Sequence, residues 1–172
     1  MKDKRKYRII SNGDYMATKT NAVRLVQQAG IPLREAFYAF DEQDLSGTHA
    51  ADAISMPHEQ VFKTLVTVGK TKTNYVFVIP VAEELDLKKA AKCVGEKSIE
   101  MIKFKELLPL TGYVHGGCSP IGMKKTFKTF VHETAKNFDT IVFSAGKIGY
   151  QVQLDVKDLE KMIRLGYGDL VI

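Results

Sequence analysis

Residues 61–68 and 75–81 constrain the fold of this chain more than any other stretch. Both are runs of β-branched and aromatic side chains, and the residues between them, 69–74, are small, polar or basic. The pair therefore reads as two strands joined as a hairpin. Successive side chains on a strand face opposite ways. In the first run Phe62 and Thr64 share one face, while Val61, Lys63 and Leu65 share the other. A lysine in an apolar row must snorkel to an edge, pair with a carboxylate or face a cavity. Alternation alone leaves all three open.

Helical signals punctuate the rest. Ala22, Leu25, Val26 and Ala29 recur at helical spacing, and Gly30 follows as a stop, so a helix is expected over 19–29. Residues 36–40 read as a strand with Tyr38 and Phe40 on one face, and 48–56 as a short helix ended at Pro57. Asp86 is placed to cap a helix whose apolar stripe is Leu87, Ala90, Ala91 and Val94. Residues 103–108 suggest another short helix. Strands are expected over 126–131, 140–144 and 149–154, and Asp155 caps a last helix carrying Val156, Leu159 and Ile163. Strands interleaved with helices predict an α+β or mixed α/β fold, and 172 residues are the length of a single domain. Residues 1–15 stand apart. Lys2, Lys4, Arg5, Lys6 and Arg8 precede a turn-forming cluster, which predicts a loosely held basic extension ahead of a domain over 16–172.

Residues 111–125 hold the densest punctuation. Gly116 and Gly117, followed by Cys118, Ser119 and Pro120, give a tight loop whose N–H groups suit a carbonyl oxygen or a phosphate, although the same residues also serve simply to turn a chain. Residues 144–147, Ser-Ala-Gly-Lys, form a second small-residue turn. Cys118 lies three residues after His115, an arrangement that a thiol nucleophile with its base would fit. His49, His58, His115 and His132 include no ligand-spaced pair, and no phosphate loop or complete dinucleotide fingerprint occurs, so neither metal nor cofactor is expected. No apolar run approaches 18 residues and no secretory leader is visible, which makes a cytoplasmic protein without membrane contact the default. The net charge of +5 comes mostly from lysine. Lysine follows phosphates rather than reading base edges, so a nucleic-acid partner would be bound with salt-sensitive, weakly sequence-specific contacts.

Four blocks stand in order: Phe62-Lys63-Thr64-Leu65, residues 85–92, residues 111–125 and residues 144–149. Together they resemble the YbaK family of stand-alone aminoacyl-tRNA deacylases, related to the editing domain of bacterial prolyl-tRNA synthetases. The likeness runs from about Lys19 to the C-terminus. It implies a barrel-like mixed sheet flanked by helices, with Lys63 as the central functional residue. Thr64, Gly116, Gly117, Cys118, Ser119, Pro120, Ser144 and Gly146 would border the substrate. The family places a tyrosine near the end of the preceding strand; Phe40 falls closest in register, with Tyr38 two residues away. The implied reaction is deacylation of Cys-tRNA(Pro), and also of Cys-tRNA(Cys), in which the substrate thiol attacks its own ester and leaves as a thiolactone. The implied partners are the acceptor end of tRNA and a prolyl-tRNA synthetase. Lys88, Lys89, Lys124 and Lys125 lie close in sequence to these blocks and suit the tRNA backbone. Two rivals stay open: a deacylase for another small aminoacyl-tRNA, such as Ala-tRNA(Pro), using water, and a non-catalytic module that binds tRNA or a synthetase.

Overall fold

The computed structural model describes residues 7–11 and 19–172. The hairpin expected from the two β-branched runs is its backbone: β3 (Phe62–Gly69) pairs antiparallel with β4 (Asn74–Pro80) in unbroken register from Phe62–Pro80 to Val68–Asn74. β5 (Ile99–Met101) adds on one side of this pair. On the other side β6 (Lys128–His132) runs parallel to β4, and β9 (Leu165–Gly168) parallel to β6. The resulting order is β5-β3-β4-β6-β9. A second sheet has the order β1-β2-β8-β7, with β1 (Tyr7–Ser11), β2 (Arg34–Tyr38), β7 (Thr140–Lys147) and β8 (Tyr150–Asp155).

The fold class is therefore α+β, as expected, but no barrel closes among the described residues. The two sheets stay separate and touch at a parallel bridge between Val61 and Val142. The Gln60 side-chain amide reinforces that seam by donating to the Thr140 carbonyl at 2.8 Å. The main core fills the space between the sheets. Phe62, Val66, Val76 and Val78 come from the larger sheet, and Phe143, Tyr150, Val152 and Leu154 from the smaller. The alternate residues of β4, Tyr75, Phe77 and Ile79, face outward onto Ala90 and Ala91 of α3 (Leu87–Val94). β4 is thus buried on both faces, which is why residues 75–79 read as a continuous apolar run.

Local chemistry sets the element ends. Thr20 caps α1 (Asn21–Gln28), Ser46 caps α2 (Gly47–Ala53), Asp86 caps α3 and Asp155 caps α5 (Val156–Met162), each accepting from a backbone N–H of the first turn. The strand expected over 36–40 starts two residues earlier and stops at Tyr38, because the chain folds into the Asp41–Asp44 turn just beyond. Residues 103–108 form a short 3-10 turn that continues into α4 (Leu107–Thr111). Of the N-terminal extension, residues 7–11 pair with β2; the rest of the segment expected to be loosely held lies outside the described residues.

A charged-type side chain also reaches this core. Glu35 of β2 is only 1 % exposed, and its Oε1 accepts from the Tyr150 hydroxyl at 2.6 Å. Its Oε2 has no partner. Tyr150→Phe would leave the whole carboxyl without this donor, and a buried acceptor so stranded costs about 1–3 kcal/mol. Urea unfolding is expected to show an unfolding free energy lowered by that amount, through a lower midpoint at an unchanged slope; a change within ~0.5 kcal/mol would show that the contact carries no stability.

Candidate functional site

A cleft of about 470 Å³ opens where the sheets part. The start of β3 supplies Lys63 and Thr64, the end of β2 supplies Tyr38, and β7 and β8 supply Ser144 and Gln151. Leu45, Ser46, Gly47 and Ala50, around the start of α2, close one side. Leu107, His115, Gly116 and Cys118 close another.

Lys63 is half-buried on the face of β3 between Val61, which packs under α2, and Leu65, which packs toward α3. Of the three fates open to a lysine in that row, the structure gives it the cavity: no hydrogen bond or ion pair holds its ammonium among the described residues. Burial pushes its pKa below the ordinary lysine value, while the carboxylates of Glu84 and Glu83 pull it back toward the charged form. The lysine is thus a cation kept at the cleft by distant charge and not spent on a close partner. Beside it the Thr64 hydroxyl is buried with no hydrogen-bond partner. Such a group costs free energy unless a ligand or water satisfies it.

The two small-residue turns build the opposite wall by packing on each other. A Cβ on Gly117 would lie 2.9 Å from the backbone of Lys147 and Ile148, so only glycine allows that approach. Gly146 has φ +111°, and a side chain there would strike the Tyr113 ring at 2.8 Å. Ser144 and Lys147 flank a bulge in the β7–β8 pairing, and the Ser144 hydroxyl accepts from the Gly146 N–H at 3.1 Å. Asn21 at the start of α1 ties the loop from behind by donating to the Gly122 carbonyl at 2.9 Å, and the Thr20 hydroxyl donates to the Ala145 carbonyl.

The structure divides the candidates drawn from the sequence. Tyr38, Lys63, Thr64, Gly116, Cys118 and Ser144 converge on the cleft. Gly117, Ser119, Pro120 and Gly146 lie behind it as supports, with the Ser119 hydroxyl accepting from the Ile121 N–H at 3.3 Å and the Gly117 N–H donating to the Val114 carbonyl at 3.0 Å. Among the described residues no acceptor takes the N–H of Gly116 or Cys118. Phe40 is outside, 45 % exposed with its ring over Gly149, so of these two aromatics it is Tyr38 that reaches the cleft. Burial raises the Tyr38 pKa, opposed by its hydrogen bonds to the Gln151 side chain and to the Gly149 backbone. None of the four selected lysines lines the cleft. Lys88, Lys124 and Lys125 are exposed, whereas Lys89 is held by Asp169 at 2.9 Å and by the Val171 carbonyl at 2.7 Å.

Sequence reasoning missed Leu45, Ser46, Gly47, Ala50, Val81, Leu107 and Gln151. Gln151 carried a usable signal: like Lys63, it is a polar residue set inside an apolar strand, between Tyr150 and Val152. The α2 residues carried none, because only tertiary packing brings them to β3. Among the described residues no three His, Cys, Asp or Glu side chains converge so as to hold a metal ion, and no helix is long and apolar enough to cross a membrane.

The cleft thus brings together a half-buried lysine and two interlocked glycine turns, inside the stretch that matches the aminoacyl-tRNA editing domain. The model of that family matches residues 46–162, and the chain belongs to it. It is 48 % identical over 136 residues, 79 % of this chain and 83 % of the other, to the candidate Cys-tRNA(Pro)/Cys-tRNA(Cys) deacylase EbsC of Enterococcus faecalis. A solved structure assigned as a candidate trans-editing enzyme for prolyl tRNA synthetase shares the fold with a TM-score of 0.74 at 23 % identity, covering 91 % of this chain and 99 % of that one. A hypothetical protein, APE2540, shares it with a TM-score of 0.79 at 16 % identity, covering 89 % and 100 %. The chain is accordingly an aminoacyl-tRNA deacylase by family.

Cys118 borders the cleft, but burial pushes its thiol up to about 12, so it is not a thiolate near neutrality. Iodoacetamide at pH 8 is expected to leave Cys118 unmodified in the folded protein and to label it fully in urea, as read by mass spectrometry. Rapid labelling of the native protein would restore it as a nucleophile candidate.

Proposed function

We propose that this protein removes cysteine from mischarged Cys-tRNA(Pro), and from Cys-tRNA(Cys), using the substrate's own thiol as nucleophile. The observation that carries the reading is Lys63: a half-buried cation without a close partner, facing a cleft whose one thiol, Cys118, is kept protonated. The relative's name adds the substrate class.

In this reading the cysteinyl sulfur attacks its own ester carbonyl. A C–S bond forms, the C–O bond to the terminal ribose breaks, and the thiol proton passes to the departing ribose oxygen. The product is a thiolactone. The free N–H groups of Gly116 and Cys118 face the developing oxyanion, and the Lys63 ammonium positions the terminal nucleotide electrostatically. Thr64 and Tyr38 supply hydroxyls for the aminoacyl group. The mechanism needs neither a protein nucleophile nor a cofactor. The tRNA body would lie on exposed lysines, and prolyl-tRNA synthetase would be the source of the mischarged tRNA.

Lys63→Ala is expected to lower deacylation ~100-fold or more in a folded protein. A panel of charged tRNAs should release thiolactone from the cysteinyl member, detected by mass spectrometry. Wild-type turnover in Lys63→Ala would remove Lys63 from the mechanism, and release of free cysteine would point to attack by water.

The pH dependence has a definite sign. The substrate thiol must ionise, so the rate rises with pH at first. Burial disfavours the charged form of Lys63, so its ammonium is lost below the usual lysine value of about 10.4, and the rate then falls. Lys63→Arg keeps its charge throughout and should lose this alkaline decline in whatever activity it retains. A decline identical in both proteins would assign it to another group.

Binding of uncharged tRNA should weaken with salt. Removing Lys88, Lys124 or Lys125 is expected to lower the slope of log K against log salt by up to about one unit each, and removing Lys89 by less, because Asp169 already occupies it. Equal slopes for all four variants and wild type would take these lysines off the tRNA path.

A further inference from the structure

Exposed apolar side chains cluster in sequence over residues 101–114, the segment that leads into the cleft wall. Phe104 is 77 % exposed, and Met101, Leu108 and Val114 are exposed with it, four of the seven large apolar side chains exposed among the described residues. Phe104 and Leu108 are four residues apart on one continuous turn of 3-10 and α-helix, so they share a face. The Phe104 ring meets the His115 ring at a centroid distance of 5.3 Å and an angle of 49°. His115 in turn lines the cleft, so the aromatic pair is continuous with the site.

The surroundings are basic. Lys103 and Lys105 flank Phe104 and are exposed. Lys124 is fixed at the end of the same helical turn: its N–H donates to the Thr111 carbonyl at 3.0 Å, and its side chain lies over Gly112. The one acidic residue of the turn, Glu106, is folded back, accepting from the Lys103 N–H at 3.3 Å. An exposed aromatic ring with a lysine on each side of it in the chain, and a third at the end of the same helical turn, matches an unpaired nucleotide, which presents a base to the ring and a phosphate to ammonium groups.

We propose that Phe104, backed by His115, is a stacking platform for an unpaired nucleobase near the 3′ end of the tRNA, just outside the cleft. The proposal rests on the deacylase reading for its substrate, but not on the chemistry at Lys63. The platform holds the single-stranded end while the terminal nucleotide enters the cleft. Stacking accepts any base, so this contact strengthens binding without selecting the tRNA.

The chain has no tryptophan, so Phe104→Trp introduces a unique reporter. Its fluorescence should be quenched by uncharged tRNA and by a CCA trinucleotide, and not by an abasic oligonucleotide of equal length. Phe104→Ala should weaken binding of uncharged tRNA about five- to a hundredfold. It should also raise KM for charged tRNA far more than it lowers kcat, and Phe104→Tyr should restore both. Circular dichroism checks that each variant is folded. Unchanged tRNA affinity in folded Phe104→Ala overturns the proposal, as does equal quenching by the abasic strand. Quenching by prolyl-tRNA synthetase and not by RNA would make the patch a protein contact instead. The binding measurements use uncharged RNA, so quenching without deacylation sinks the proposed reaction and keeps the platform. Thiolactone release with an unaltered KM in Phe104→Ala does the reverse.

Discussion

The two sheets of this protein make contact through a parallel bridge at Val61–Val142 and the neighbouring hydrogen bond from Gln60 to Thr140. No other strand pairing joins the two sheets among the described residues. A closed barrel would fill the gap with side chains from both sheets. Here the main core fills most of the space between the sheets, and the part at the start of β3 is left as a cleft. Lys63 is two residues past the bridge, so its distance from the seam is set by the β3 backbone itself. The glycine turns face it from the second sheet and from the loop ahead of β6. The site is thus a consequence of how the sheets fail to close.

Electrostatics at Lys63 follow from that placement. A lysine with a close carboxylate would be a structural ion pair and would have little left for a ligand. Glu83 and Glu84 are near enough to favour the charged form, and neither makes a direct contact. Burial works against the charge and strengthens any interaction the ammonium makes with an anionic group brought into the cleft, because less water screens it. Lys89 shows the contrast. Its ammonium is bonded to Asp169 and to the Val171 carbonyl, and it serves to hold the C-terminal segment onto α3.

The glycine loop has a division of labour that its composition does not announce. Ser119, Pro120 and Gly117 look like ligand-binding residues in a linear motif, yet none lines the cleft, and the contacts of Gly117 and Ser119 fix the loop's shape. Gly116 and Cys118 do face the cleft, with N–H groups free of other acceptors. Rigid supports of this kind are what preorganised backbone donors require, since donors that must reorder on binding lose part of their effect.

How much of this was legible beforehand can be argued residue by residue. The β3–β4 hairpin, the capped helices and the anomaly at Lys63 were legible because each depends on neighbours within a few positions: alternation, spacing and a cap residue. The order of the blocks was enough to suggest the family, and with it the reaction. What the sequence could not contain was proximity across the chain. The cleft depends on α2 reaching β3, on Gln151 lying beside Tyr38, and on Gly117 pressing against Lys147 and Ile148. Exposure was equally hidden, and it decided that Phe40 lies outside while Phe104 stands open beside His115. β9, and the absence of barrel closure among the described strands, belong to the same category. Local physics fixes periodicity and caps within one element, whereas contacts between residues a hundred positions apart arise only when two sheets pack, and that packing decided where this protein's site is.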